Sequence, residues 1–135
     1  MILVTCRGRA NVMGKMVERH DILPIDSYAM ASQTPKLYAI FVPNQNVFTL
    51  ELIRQSRVFC VNIVEGHAAS IEFCKRMPGE HVDKFKESDF IPTECESIDC
   101  LRIDQAKEWI ECEFLEERTL GDHVMIVGTI RKEHQ

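Results

Sequence analysis

Residues 110–130 read IECEFLEERTLGDHVMIVGTI, two apolar-rich stretches on either side of a Gly-Asp-His break. In Ile110-Glu111-Cys112-Glu113-Phe114 apolar and acidic side chains alternate with period two. That is the pattern of an antiparallel strand with one face on a core and the other in water. It predicts that Glu111 and Glu113 both point to solvent. Leu120-Gly121-Asp122-His123 supplies turn residues, and Val124 to Ile130 resumes as a second strand. The segment therefore reads as a β-hairpin, on a looser turn signal than Asn-Gly.

The same reading extends outward along the chain. Leu37 to Val42 is a nearly continuous apolar strand ended by Pro43-Asn44-Gln45-Asn46, and Val58 to Val64 is another buried strand. Ile2 to Cys6 forms a compact apolar run, after which Arg7-Gly8-Arg9 reads as turn-like. Residues 14–21 are charged and poorly patterned, and Leu23 to Ser32 has mixed character until Thr34-Pro35 breaks it. Two or three short helices lie between the strands. Thr49 is placed to cap one of them, ahead of Leu50-Glu51-Leu52-Ile53. A second follows Gly66, with Ala69, Phe73 and Met77 sharing a face, and ends at Pro78-Gly79. His81 to Lys86 supplies one more helical turn. With no internal repeat or linker, residues 1–135 read as a single mainly β domain, a β-barrel with peripheral helices.

Composition narrows the function. A length of 135 residues supports a proper core. The net charge of -5 disfavours broad binding to a nucleic-acid backbone, which needs clustered Lys and Arg. No apolar run is long enough to span a membrane and no secretory leader opens the sequence, so the expected compartment is the cytoplasm. The six cysteines contain no C-x-x-C pair; the closest spacing is Cys95-x4-Cys100. Free thiols in a reducing compartment follow. The five histidines lack the helical i, i+4 spacing of a metal site, so no metal is expected. Gly8 to Lys15 imitates a phosphate-binding P-loop, but five residues rather than four separate the glycines. Met16 stands where Ser or Thr would hold magnesium, and the P-loop reading fails.

The most specific signal is an ordered set: Pro35-x-Leu-Tyr-Ala-Ile, a polar loop, Thr49-x-Glu-Leu-Ile, Val58-Phe-Cys-Val-Asn-Ile, then Asp83-Lys84-Phe85, Cys112-x-Phe114, and Leu120-Gly121-Asp122-His123 running into Val124–Gly128. Taken together and in this order, it resembles the flavin reductase-like family, flavoredoxins in particular, over nearly the whole chain. The resemblance implies an FMN-binding split β-barrel that forms a homodimer. It also implies electron or hydride transfer through FMN, between NAD(P)H or a redox partner protein and an acceptor. By the same resemblance, Thr49 reaches the flavin phosphate, Lys84 balances flavin or phosphate charge, and the His123 ring hydrogen-bonds the cofactor. A helix start supplies free amides for such a phosphate.

Departures from the family pattern shape the remaining assignments. Ser27 stands where a tryptophan is usual, with Tyr28 the nearest aromatic. The family's asparagine corresponds to Asn11 at a longer spacing, or to Asp21 by an ungapped count, and a carboxylate is a poor neighbour for flavin oxygens. Asn46 lies in a loop that lacks the usual arginine, and offers amide donors without charge. The family also carries segments before the first strand and after the last that help to close the flavin site, whereas this sequence starts and stops at those strands. Two other readings stand beside the oxidoreductase: a split-barrel ligand-binding or dimerisation module without redox activity, and a thiol enzyme using Cys6 or Cys74.

Overall fold

The computed structural model describes residues 1–135. It is mainly β, built on one seven-stranded antiparallel sheet in the order β2-β1-β5-β8-β9-β4-β3. In chain order the strands are β1 (Ile2–Val12), β2 (Lys15–Ile25), β3 (Tyr28–Gln33), β4 (Lys36–Pro43), β5 (Val58–Ile63), β6 (Pro92–Glu94), β7 (Leu101–Ile103), β8 (Glu108–Leu120) and β9 (His123–His134). The helices are α1 (Val47–Ser56), α2 (Ala68–Arg76) and α3 (Lys84–Glu87). Strands β6 and β7 form a separate two-stranded ribbon. No helix is long and apolar enough to cross a membrane.

Strand alternation gives the sheet two buried faces. Ile2, Val4 and Cys6 of β1 join Phe59 and Val61 of β5 and Ile110 and Cys112 of β8 in the main core, which α1 covers with Leu50, Leu52 and Ile53. The intervening residues Leu3, Thr5, Cys60, Asn62, Trp109 and Glu111 face the other way and are buried as well. Against that outer face pack α2, α3 and the β6–β7 ribbon, whose Cys74, Phe85, Phe90 and Ile103 close a second core with Leu3 and Ile22. Core side chains pack directly on Gly128, where an added Cβ would lie 2.7 Å from the Phe59 ring and 2.8 Å from Cys112 Cβ.

Several sequence expectations change. The turn expected at Arg7-Gly8-Arg9 is strand, because β1 continues to Val12 and pairs residue for residue with β2. The unpatterned interval 14–21 supplies that partner. Its charge pattern hides a strand because only the part beyond His20 is fully buried. The P-loop-like glycine at position 14 instead turns the β1–β2 hairpin, with Met13 and Gly14 both at positive φ. Helix α1 begins two residues before Thr49, with Asn46 at its cap position. The buried face of α2 is Ser70 and Cys74, while Phe73 and Met77 are half-buried and Ala69 is exposed. The Thr34-Pro35 break and the Gly121-Asp122 turn are found where the sequence put them.

Glu111 is the largest departure from simple alternation. It is wholly buried and accepts hydrogen bonds from Glu96 N (2.9 Å), Ser97 N (2.7 Å) and Ser97 Oγ (2.6 Å). The period of two was right, but the second face is covered by the 95–100 loop instead of water. Asn62 does similar work: Nδ2 donates to Leu3 O and Thr5 Oγ1, and Oδ1 accepts from Ile103 N. Arg7 completes the attachment with a bidentate pair to Glu94 and a bond to Asp99. Removing the Glu111 acceptor strands two backbone donors, so Glu111→Ala is expected to cost about 2–4 kcal/mol. Urea denaturation followed by circular dichroism checks this, with Glu111→Gln falling between wild type and alanine.

Candidate functional site

Asp21, on edge strand β2, lies under the first turn of α1 and beside the Pro78–Lys84 segment. The aspartate is 2 % exposed and its partner Lys84 is 3 % exposed, so the pair is withdrawn from water. Lys84 Nζ lies 2.7 Å from Asp21 Oδ1 and donates to Ile22 O at 3.0 Å. Thr49 Oγ1 donates to Asp21 Oδ2, and Ile22 N donates to Oδ1. The buried ion pair is therefore supported by further hydrogen bonds on both partners, the condition under which such a pair is tolerated. Gly79 packs directly on the carboxylate, and any Cβ at that position would overlap it.

A cleft of about 300 Å³ opens over this cluster, between the start of α1 and the end of α2. Asn46 and Thr49 line it from the start of α1, Lys75 from the last turn of α2 and Glu80 from the segment after it, and Asp21 and Lys84 form its floor. Asn46 makes no side-chain capping bond, and the first turn of α1 contains no acidic residue. The first amides of a helix have no intrahelical acceptor and carry the positive end of its dipole. An anion acceptor is the partner such an end lacks.

Of the six residues singled out from sequence, Asn46, Thr49 and Lys84 come together in this cleft. Lys84, however, spends its ammonium on Asp21, and Thr49 spends its hydroxyl on the same carboxylate. His123 sits in a neighbouring recess with Pro43, Asn44 and Asp122, joined to the cleft by the shared wall of Gln45. Its Nδ1 is 2.7 Å from Asp122 Oδ1, whose carboxyl is held below the ordinary aspartate range by that contact. Asn11 is elsewhere: its Oδ1 accepts from Gly14 N in the β1–β2 turn. Ser27 is exposed between β2 and β3, and only its carbonyl is engaged, by Phe41 N. Neither is brought into the cleft. Asp21 was legible only as an ungapped count, and nothing in the sequence marked Gly79 as its neighbour.

The model of the flavin reductase like domain matches residues 1–134. The chain belongs to this family. A flavin reductase from Pseudomonas putida is 26% identical over 110 residues, which is 82% of this chain and 61% of that relative. The chain thus spans about three-fifths of the curated relative it matches. Among solved structures, the flavoredoxin of Desulfovibrio vulgaris (Miyazaki F) superposes with a TM-score of 0.84 at 18% identity, covering 98% of this chain and 67% of that one. An FMN-binding protein from Thermus thermophilus, with bound 1-cyclohex-2-enone, gives 0.82 at 21% identity, covering 99% and 68%. These likenesses establish the split β-barrel common to the family.

The thiol reading at Cys6 and Cys74 does not survive. Both are buried; burial pushes Cys6 well above the ordinary thiol range and Cys74 up to about 11. No group of three or more His, Cys, Asp or Glu side chains has the geometry to hold a metal ion.

The cluster at Asp21 makes a sharp stability prediction. Lys84→Met leaves an uncompensated carboxylate in the interior and is expected to cost about 3–5 kcal/mol. Adding Asp21→Asn removes the orphaned charge and should recover most of that loss. A double-mutant cycle by urea denaturation reads the coupling; additive losses would show that the two side chains do not act as a pair.

Proposed function

We propose that this chain is an FMN-dependent oxidoreductase domain, holding the cofactor's phosphate at the start of α1. The observation that carries the reading is the uncapped, acid-free first turn of α1 opening into the cleft that gathers Asn46, Thr49 and Lys84. The donor set suits a phosphate: free backbone amides, the Asn46 side-chain amide, and Lys75 across the cleft. When bound, FMN supplies the one- and two-electron chemistry, and the protein supplies binding, orientation and electrostatics.

Each residue then has a distinct task. Asn46 and the first amides of α1 hold the phosphate. Thr49 positions that turn against β2 through Asp21, and Lys84 cancels the Asp21 charge that would otherwise repel an anion. His123, one recess away, is placed to hydrogen-bond the more distant part of the cofactor. By family likeness, the electron donor is NAD(P)H or a redox partner protein, and the working unit is a homodimer in the cytoplasm. Edge strand β3 exposes Tyr28 and Met30, apolar surface available to a second copy.

One observation favours the alternative of a split-barrel module without redox activity: Thr49 and Lys84 are both bound to Asp21. The two readings separate cleanly. Incubation with FMN and desalting should leave flavin absorbance at about one per chain, reducible by NAD(P)H. A folded protein that stays colourless would transfer the case to the binding module.

Asn46→Asp tests the phosphate assignment directly. A carboxylate at the cap satisfies and neutralises the helix end, so stability should hold or rise by about 0.3–1 kcal/mol. FMN affinity, read by quenching of flavin fluorescence, should fall ten-fold or more, while riboflavin, which lacks the phosphate, is affected much less. Thr49→Ala should weaken FMN several-fold. Equal losses for FMN and riboflavin in Asn46→Asp would place the phosphate elsewhere.

A further inference from the structure

On the outer face of the sheet, remote from the α1 cleft, three cysteines from separate parts of the chain pack into one cluster. Cys60 of β5 and Cys100, just before β7, are fully buried beside Trp109, and half-buried Cys95 packs against them. The β6–β7 register runs Pro92↔Ile103, Thr93↔Arg102, Glu94↔Leu101, and its next step sets Cys95 opposite Cys100. Cys95 N donates to Cys100 O at 2.9 Å, which keeps the two residues paired. Directly opposed residues of an antiparallel ladder have Cα atoms about 4.5–5.5 Å apart, inside the span that a disulfide bridges.

The loop between them is held in shape by groups already described. Glu111 binds the Glu96 and Ser97 amides from beneath, and Asp99 is tied to Arg7. Cys100 N closes a tight turn onto Ile98 O at 3.0 Å. The pair is therefore pre-aligned through the backbone, Cys95 half-buried and Cys100 in the interior, where its thiol lies within reach of Thr5 O and Leu101 O.

We propose that Cys95 and Cys100 form a hydroperoxide-reactive dithiol, Cys95 attacking and Cys100 resolving. The Cys95 thiolate attacks one oxygen of a hydroperoxide: an S–O bond forms, the O–O bond breaks, and the departing oxygen leaves as an alcohol or water after taking a proton. Sulfur is oxidised by two electrons to a sulfenic acid. The Cys100 sulfur then attacks Cys95, forming the S–S bond, breaking S–O and releasing water. Overall, two thiols and one hydroperoxide give one disulfide, one alcohol (or water) and one water. Cys60 packs against both and takes no part in the bond making.

The electrostatics agree with this division of roles. The neighbouring Cys100 and then Cys60 thiols pull the Cys95 thiol below the ordinary thiol range, against the opposing effects of burial and Glu111, with Arg102 assisting. Cys100 and Cys60 are pushed the other way and stay protonated. A thiolate is the reactive form, and it exists above its pKa. Alkylation of Cys95 should therefore stay fast at pH values too low for an ordinary thiol to react.

The test uses the native chain, hydrogen peroxide as oxidant and mass spectrometry as the readout. Iodoacetamide at pH 6 should label Cys95 at least ten-fold faster than any other cysteine. Peroxide should lower the intact mass by two hydrogens, and non-reducing peptide mapping should find one link, Cys95 to Cys100. Cys95→Ser should abolish both responses. Cys100→Ser should leave a sulfenic acid on Cys95 that dimedone traps, and circular dichroism establishes that each variant is folded. A Cys60–Cys95 link, labelling only on unfolding, or no dimedone adduct in folded Cys100→Ser would overturn the proposal.

Discussion

An edge strand has one row of backbone groups with no neighbouring strand to bond, and β2 is such a strand. At Ile22 both orphan groups are met by one ion pair: the amide by Asp21 Oδ1 and the carbonyl by Lys84 Nζ. The same carboxylate accepts from Thr49, so it fixes α1 over the barrel and α3 against the strand edge at once. The cleft is the space left between these attachments. Removing the pair would loosen the edge, the helix start and the Pro78–Lys84 segment together, because one carboxylate is common to all three.

A second constraint shapes the other side. A sheet with one wet face could have left Thr5, Cys60, Asn62 and Glu111 in water, but the β6–β7 ribbon covers them. Burying polar groups is costly unless each is paired, and here the pairing is dense. Glu111 and Asn62 bind backbone groups of the covering segments, and Arg7 binds their acidic side chains. This polar layer specifies where the ribbon sits, which apolar packing alone would leave loosely defined. It also holds Cys95 and Cys100 in register.

How much of this could be read beforehand follows from what the signals measure. Period-two alternation reports that a strand has two unlike faces, which made β8 legible, while β4, β5 and β9 were legible as apolar runs bounded by turn residues. It does not report what covers the polar face, and Glu111 was accordingly placed in water. Strand β2 was missed because its first half is exposed and charged, and only its pairing with β1 makes it a strand. Strands β6 and β7 are three residues each, too short for any periodicity. At the site, the resemblance selected Asn46, Thr49 and Lys84, which fold into one cleft. It could not show that Asp21 takes up two of them, since that depends on a contact between β2 and residues far along the chain. Asn11 was drawn in by residue type alone; its amide is spent on closing a turn.

Charge favours backbone amides as the donors of the proposed phosphate site. Three acids, Asp21, Glu51 and Glu80, line it against two lysines, Lys75 and Lys84. Lys84 is neutralised by Asp21, so the nearest lysine adds no free positive charge. A phosphate placed by lysines alone would face an unfavourable sum. Helix-end amides differ in kind: their partial charges are fixed in direction, already desolvated on one side, and not consumed by the Asp21 pair. Asp21 thus has opposite effects on the two parts of the site. It withdraws the side-chain cation and hydroxyl, and in doing so it anchors the helix whose first amides take their place in the proposed phosphate site.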